Sequence, residues 1–162
     1  MSKQPQFLSL PQRQIDYFLI VCFSIFASTS FFISSLSAFN IPVTSESKFF
    51  LIRWLYQYGV NIDSVVLKNP LYLQIQSFID CFVFGPFYLL LIYAFIRRKS
   101  WIRIPAIIYV ATMTYSMILY LGIELMGENA PLNQSAFLGL NFPYLVIPLV
   151  LGSRMRKTDP FN

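Results

Sequence analysis

The stretch LYLQIQSFIDCFVFGPFYLLLIYAFI, residues 71–96, carries a single charged side chain, Asp80. At ~1.5 Å of rise per residue it exceeds the ~20 apolar residues that cross a bilayer core of ~30 Å. It reads as a membrane-spanning helix. A carboxylate near the centre of such a helix costs about 2.5–3.5 kcal/mol on insertion scales, so a chain that keeps one turns it toward a protein interior or a polar cavity. Asp80 is therefore the first functional candidate.

Three further apolar runs flank this one, at about Tyr17–Phe39, Ile102–Leu125 and Ser135–Gly152. The first begins too late and runs too long for a typical cleaved signal peptide, so it reads as a retained helix. Across the 162 residues, 56% are hydrophobic and only 12% charged, against roughly 25% charged in a soluble domain. The fold class is all-α, a four-helix transmembrane bundle. Residues 10–152 form one four-span membrane domain, and residues 153–162 a short cytoplasmic tail. The connection from Asn40 to Pro70 holds an apolar stripe, Phe49, Phe50, Leu51, Trp54, Leu55 and Tyr58, with Lys48, Arg53 and Gln57 between. That spacing predicts a short amphipathic helix lying on the membrane or capping the bundle.

Basic residues orient the bundle. Lys3 and Arg13 precede the first run; Arg97, Arg98, Lys99 and Arg103 join the second and third; Arg154, Arg156 and Lys157 follow the fourth. Nine of the twelve cations thus fall on one side, leaving Lys48, Arg53 and Lys68 on the other with Glu124 and Glu128. Both termini are expected to be cytoplasmic. Because the net charge of +5 sits at the ends of the apolar runs, it reads as a topology signal and not as a nucleic-acid surface.

With that orientation Asp80 lies nine residues in from the non-cytoplasmic side, roughly 13–14 Å deep. The same count reaches Ser28 and Thr29, Tyr115 and Ser116, and Tyr144 on the other helices. Gln76, Ser77 and Asp80 share one face of the second helix, Tyr109, Thr112, Ser116, Tyr120 and Glu124 one face of the third, and Asn141, Tyr144 and Pro148 one face of the fourth. For the serines of the first helix, bonding to their own backbone carbonyls and close packing is the simpler reading. Glu124 reads as an interfacial residue at a helix end. Pro86 and Pro148 are expected to kink their helices, freeing the carbonyls of Phe82 and Tyr144 and opening space beside the polar side chains. Cys22 and Cys81 read as small buried hydrophobes. The chain contains no histidine, which removes the commonest metal ligand and general base; no metal and no cofactor is expected.

The segments Tyr93-Ala94-Phe95, Trp101-Ile102-Arg103-Ile104-Pro105-Ala106-Ile107-Ile108-Tyr109, Thr112-Met113-Thr114 and Pro143-Tyr144-Leu145-Val146-Ile147-Pro148 carry a resemblance to the EXPERA family. It is strongest to the sigma-2-receptor-like members and weaker to the emopamil-binding sterol isomerases. The similarity runs from about residue 10 to 152 and is tight from Ser77 to Thr114. It implies an endoplasmic-reticulum-type membrane, a frequent homodimer, and a pocket open to the bilayer that takes sterols or lipophilic amines. The family's acids in the second helix and first loop match Asp80 and Asp63, and its last-helix tyrosine matches Tyr144. The first-helix acid that pairs a ligand amine falls on Thr29, so amine affinity is expected to be weak or absent. In the isomerases a histidine and a glutamate four residues apart move a proton; here that pair matches Gln76 and Asp80, and glutamine is neither a general acid nor a base.

Three readings follow. The first is a binding protein for a sterol, another membrane lipid or a lipophilic amine, with a role in sterol and lipid homeostasis. Asp80, Gln76, Thr29, Tyr144, Asn141 and Asp63 would hold the polar tip, and Phe82, Phe84, Phe87 and Met117 the apolar body. The second is a membrane interaction or quality-control protein without a specific ligand. The third and weakest is a sterol or isoprenoid double-bond isomerase, for which only Asp80, Asp63 and Glu124 could carry protons. In a eukaryote the expected membrane is that of the endoplasmic reticulum, in a bacterium the plasma or an internal membrane.

Overall fold

The computed structural model describes residues 10–127 and 130–161, with side chains from residue 14 onward. Lys3, Glu128 and the side chain of Arg13, three of the topology charges, lie outside the described residues. Helices account for all four apolar runs, as a backbone without water partners requires. Their bounds are Gln14–Ala38, Leu71–Arg97, Ser100–Met126 and Gln134–Arg154, each long and apolar enough to cross a membrane. No strand occurs among the described residues.

The first span is α1 (Leu10–Thr29), a π-helical turn (Ser30–Ser34) and α2 (Ser35–Ala38). The predicted amphipathic helix is α3 (Phe50–Asn61), followed by the single turn α4 (Val65–Lys68). The second span repeats the pattern of the first: α5 (Leu71–Ile79), a π-helical turn (Asp80–Phe84) and α6 (Gly85–Arg97). A 3₁₀ turn at Ser100–Ile102 leads into α7 (Arg103–Met126), and the fourth span is α8 (Gln134–Asn141) with α9 (Pro143–Arg154). The first span packs along the second, α1 on α6 and α2 on α5, with the two π turns in contact; α7 packs on α9, and α1 also touches α9.

The prolines act differently from expectation. In the second span the π turn absorbs Pro86: the Gly85 N–H reaches back five residues to the Asp80 carbonyl, and Pro86, lacking an N–H, sits in the first turn of α6, where no intrahelical donor is needed. In the fourth span the helix breaks at Phe142, just before Pro143, whereas Pro148 lies inside continuous α9. Phe142 keeps right-handed helical angles, φ −59° and ψ −33°, so the break comes from Pro143 itself, which lacks the N–H that would bond the carbonyl four residues back.

Asparagine locks the turn between the first two spans. Asn40 and Asn69 both take left-handed backbone angles, φ 51° and 43°, a conformation their short polar side chains tolerate. The Asn69 amide donates to the Ser37 carbonyl and the Asn40 side chain, each at 3.0 Å, while Ser37 Oγ donates to Asn69 Oδ1 at 2.5 Å. The core is aromatic. Phe23, Phe26, Tyr88 and Tyr109 are buried and pack at ring-centroid distances of 5.7–6.3 Å. Phe18, Val21, Ile25, Phe82, Ile108 and Leu119 turn outward, as lipid-facing positions of a membrane bundle do.

The chain end after the fourth span is not a free polar tail. Met155, Pro160 and Phe161 are buried, and Phe161 meets Phe95 edge-on at 5.3 Å.

Candidate functional site

The π turns bring Asp80 against the first span. Each inserts one extra residue per turn and rotates the side chains that follow it, a device frequent at functional sites. Asp80 Oδ2 accepts from Ser30 Oγ at 2.5 Å and from Ser34 Oγ at 2.7 Å. The Ser30 hydroxyl also lies 3.0 Å from the Asp80 carbonyl, so its single proton is shared. Two serines thus supply the hydrogen bonds that a desolvated carboxylate needs. Elsewhere the first-helix serines bond their own backbone as expected: Ser24 to Ile20 and Ser28 to Ser24.

Beside Asp80 stands a group of phenols. Tyr88 and Tyr109 are buried core residues within electrostatic reach of Asp80 and of one another. Neither hydroxyl makes a close, well-directed hydrogen bond, although Tyr88 interacts at longer range with the Asp80 carboxylate and with the Tyr109 hydroxyl. A buried hydroxyl left unpaired costs about 1–3 kcal/mol, so this corner of the bundle has unspent donors. Tyr144 closes it: its hydroxyl is 2.6 Å from Thr29 Oγ1, and Thr29 itself donates to the Phe26 carbonyl at 2.9 Å. With that proton committed, Tyr144 is the donor in the pair. Its ring stacks on Phe26 at 4.1 Å.

The remaining expected site residues are placed elsewhere. Gln76 donates to Ser116 at 3.2 Å, so it faces the third span while Asp80 faces the first. Asn141 reaches Tyr58 at 3.5 Å, and Asp63 belongs to the same end of the bundle. Tyr115 is 70% exposed and turns away from the interior, and Phe82 lies on the outer surface against Phe78. Phe84 and Met117 are buried in the core.

A second polar cluster forms at that end. Asp63 and Glu124 are 0% and 2% exposed. Glu124 is thus buried and not interfacial, because Tyr72 covers it and donates to Oε1 at 2.6 Å. Asp63 Oδ1 accepts from the Val65 N–H at 3.1 Å, an Asx-type closure of the α4 turn. Asp63 Oδ2 and Glu124 Oε2 have no partner. Burial raises the Asp63 carboxyl above its ordinary range, the Val65 bond offsetting part of the rise. Burial also pushes the Tyr58 phenol up to about 12, with the Asn141 bond opposing and the Asp63 and Glu124 charges adding to it. Tyr72 and Asp80 are eight residues apart on one span, about 12 Å of helix, so Glu124 joins Asp63 and not Asp80.

Sequence reasoning missed one ion pair entirely. Asp16, which carried no assignment, grips Arg154 through Nε–Oδ1 at 2.8 Å and Nη2–Oδ2 at 3.1 Å. The only available signal was an acid at the otherwise basic entrance to the first span. Two cavities lie away from Asp80, one against the first loop and one beside Arg154. Among the described residues no group of three or more metal-ligating side chains occurs.

Comparison with known proteins agrees with this architecture. The chain is 33% identical over 113 residues to the Sigma intracellular receptor 2 of Xenopus tropicalis, a match covering 62% of this chain and 64% of that protein. It spans somewhat under two thirds of the length of this curated relative. The profile of the EXPERA (EXPanded EBP superfamily) family matches residues 48–155, a region holding the second to fourth spans, Asp80 with its neighbouring phenols, and the Asp63–Glu124 cluster, but not Thr29, Ser30 and Ser34 of the first span. The chain therefore belongs to the EXPERA family and is a multi-pass membrane protein of that group.

Proposed function

We propose that this protein binds a sterol, or another hydrophobic small molecule with one polar tip, within the bilayer at Asp80, and that it serves sterol and lipid homeostasis. The observation that carries the reading is the pairing of an intramembrane carboxylate with two buried phenols, Tyr88 and Tyr109, that stand beside it without a close hydrogen bond of their own. A ligand hydroxyl entering there would donate to Asp80 and accept from a phenol, satisfying groups that the protein alone leaves open. Its apolar body would lie among Phe84, Phe87 and Tyr144. Thr29, neutral and committed to Tyr144, offers no second charge for an amine, so a neutral sterol-like ligand fits better than a cationic one. The relative named as a sigma receptor supports a ligand-binding role for the group. The absence of histidine from the chain and the Gln76–Ser116 bond favour binding over isomerisation. On this reading the protein sits in the endoplasmic reticulum membrane of a eukaryote with both termini cytoplasmic, and homodimers are compatible with the outward-facing first span.

The test is direct binding of a photoreactive sterol and of a lipophilic amine to purified protein. Asp80→Asn is expected to weaken sterol labelling by an order of magnitude or more, while Tyr115→Phe, on the outer face, leaves it unchanged. Equal labelling of wild type and Asp80→Asn would overturn the assignment.

A second reading, a membrane interaction protein, is favoured by α3 and the residue that precedes it, where Phe49, Phe50 and Trp54 are exposed. Co-purification of a partner lost on replacing those three residues, but kept in Asp80→Asn, would favour it.

A further inference from the structure

A cleft of about 380 Å³ opens between the first and fourth spans, lined by Ile15, Val150, Ser153, Arg154, Arg156 and Lys157. It sits at the end of the fourth span, where the apolar helix gives way to the basic chain end, which is the level of lipid headgroups. We propose that this cleft binds the phosphate headgroup of an anionic membrane phospholipid, with the acyl chains running down the outer face of the first span. The site is distinct from Asp80 and does not depend on what binds there.

The charge pattern is built for an anion. None of the six lining residues is acidic. Arg154 cannot itself neutralise a ligand: Asp16 takes Nε and Nη2, the Pro160 carbonyl takes Nη1, and the Phe161 ring packs 5.4 Å from the guanidinium carbon. It serves instead as the floor that fixes the first span against the fourth. The net positive charge of the cleft comes from Arg156 and Lys157, which are exposed and form no ion pair among the described residues. With the Ser153 hydroxyl they supply donors suited to phosphate oxygens.

The apolar wall selects a lipid over a soluble anion. Ile15 continues along the first span into Phe18, Val21 and Ile25, all exposed, and Val150 is flanked by exposed Leu149 on the fourth. This surface leads from the cleft into the hydrocarbon layer. Basic pockets between membrane helices recognise anionic headgroups in this way, each cation near the surface adding to the attraction.

The test is native mass spectrometry of protein released from vesicles of phosphatidylcholine and phosphatidylglycerol in equal parts. Wild type is expected to retain phosphatidylglycerol over phosphatidylcholine. Joint replacement Arg156→Gln and Lys157→Gln should reduce that preference about tenfold or more, the scale expected for two membrane-adjacent cations. The matched control Arg97→Gln with Lys99→Gln removes equal charge from the same side and is expected to leave it unchanged. Equal loss in the control would mean general surface attraction and overturn the site. Displacement of the lipid by millimolar glycerol phosphate would assign the cleft to a free phosphate ester and overturn the lipid assignment. No headgroup preference in wild type would also overturn it.

Discussion

Ser30 and Ser34 do for Asp80 what a lysine or arginine would do in a soluble core: they supply two short hydrogen bonds to one carboxylate oxygen without burying a second charge. Bonds to charged groups contribute about 1.5–3 kcal/mol, so the three side chains should be energetically coupled. A double-mutant cycle of Ser30→Ala with Asp80→Asn, followed by reversible unfolding in detergent, is expected to give a coupling of about 1–2 kcal/mol; additive effects would contradict the arrangement. Asp63, in the first loop, has fewer partners, and burial raises its carboxyl with only the Val65 N–H opposing. An unfolded chain releases that proton near pH ~3.9, while the folded protein holds it to higher pH. Between those values the folded state binds more protons, so stability falls as pH rises through the window and then levels. Thermal melts from about pH 4 to 7 should show this decline in wild type and a shallower one in Asp63→Asn. An unaltered slope in the variant would remove Asp63 from the account.

At the level of the elements, the two facing π turns set the site, and their packing is tight. A Cβ built on Gly85 meets the Phe31 ring at 3.1 Å and Ser30 Cβ at 3.4 Å. Gly85→Val should therefore push the second span off the first, costing about 1–3 kcal/mol as overpacking does and weakening sterol binding along with stability. A thermal shift no larger than that of a lipid-facing control such as Leu90→Val would contradict this. The spans themselves were legible in the sequence because length and hydropathy determine them. The π turns were not, because an extra residue in a helical turn is stabilised by what the facing helix presents, here Ser30 and Ser34 to Asp80. Pro143 was likewise obscured by Pro148, for periodicity does not say which of two prolines a helix can absorb. Thr29 and Tyr144 were matched separately to the site, yet their direct bond follows only from the way α9 crosses α1.

Across the whole molecule, the Asp16–Arg154 pair ties the first span to the last and anchors the chain end through Pro160 and Phe161. Removing one partner of a buried ion pair typically costs about 3–5 kcal/mol, because the other charge is left stranded. Asp16→Ala should therefore destabilise strongly, and the paired replacement Asp16→Leu with Arg154→Met should recover much of the loss; thermal inactivation of both variants checks it, and equal losses would contradict it. Sequence reasoning read Arg154 as one of the cations that orient the bundle. Positional counting does not distinguish a cation facing water from one facing an acid 138 residues away. The family and the four spans were therefore readable from local strings, while the partners that hold the bundle together were not. The central claim is that Asp80 and its phenols receive the polar tip of a membrane molecule. The most direct measurement is lipid mass spectrometry on protein purified in mild detergent, wild type beside Asp80→Asn. A sterol or related isoprenoid retained by wild type and lost from the variant is the predicted result. The same molecule retained equally by both, or none in either, would contradict the claim and leave Asp80 as a structural acid held by two serines.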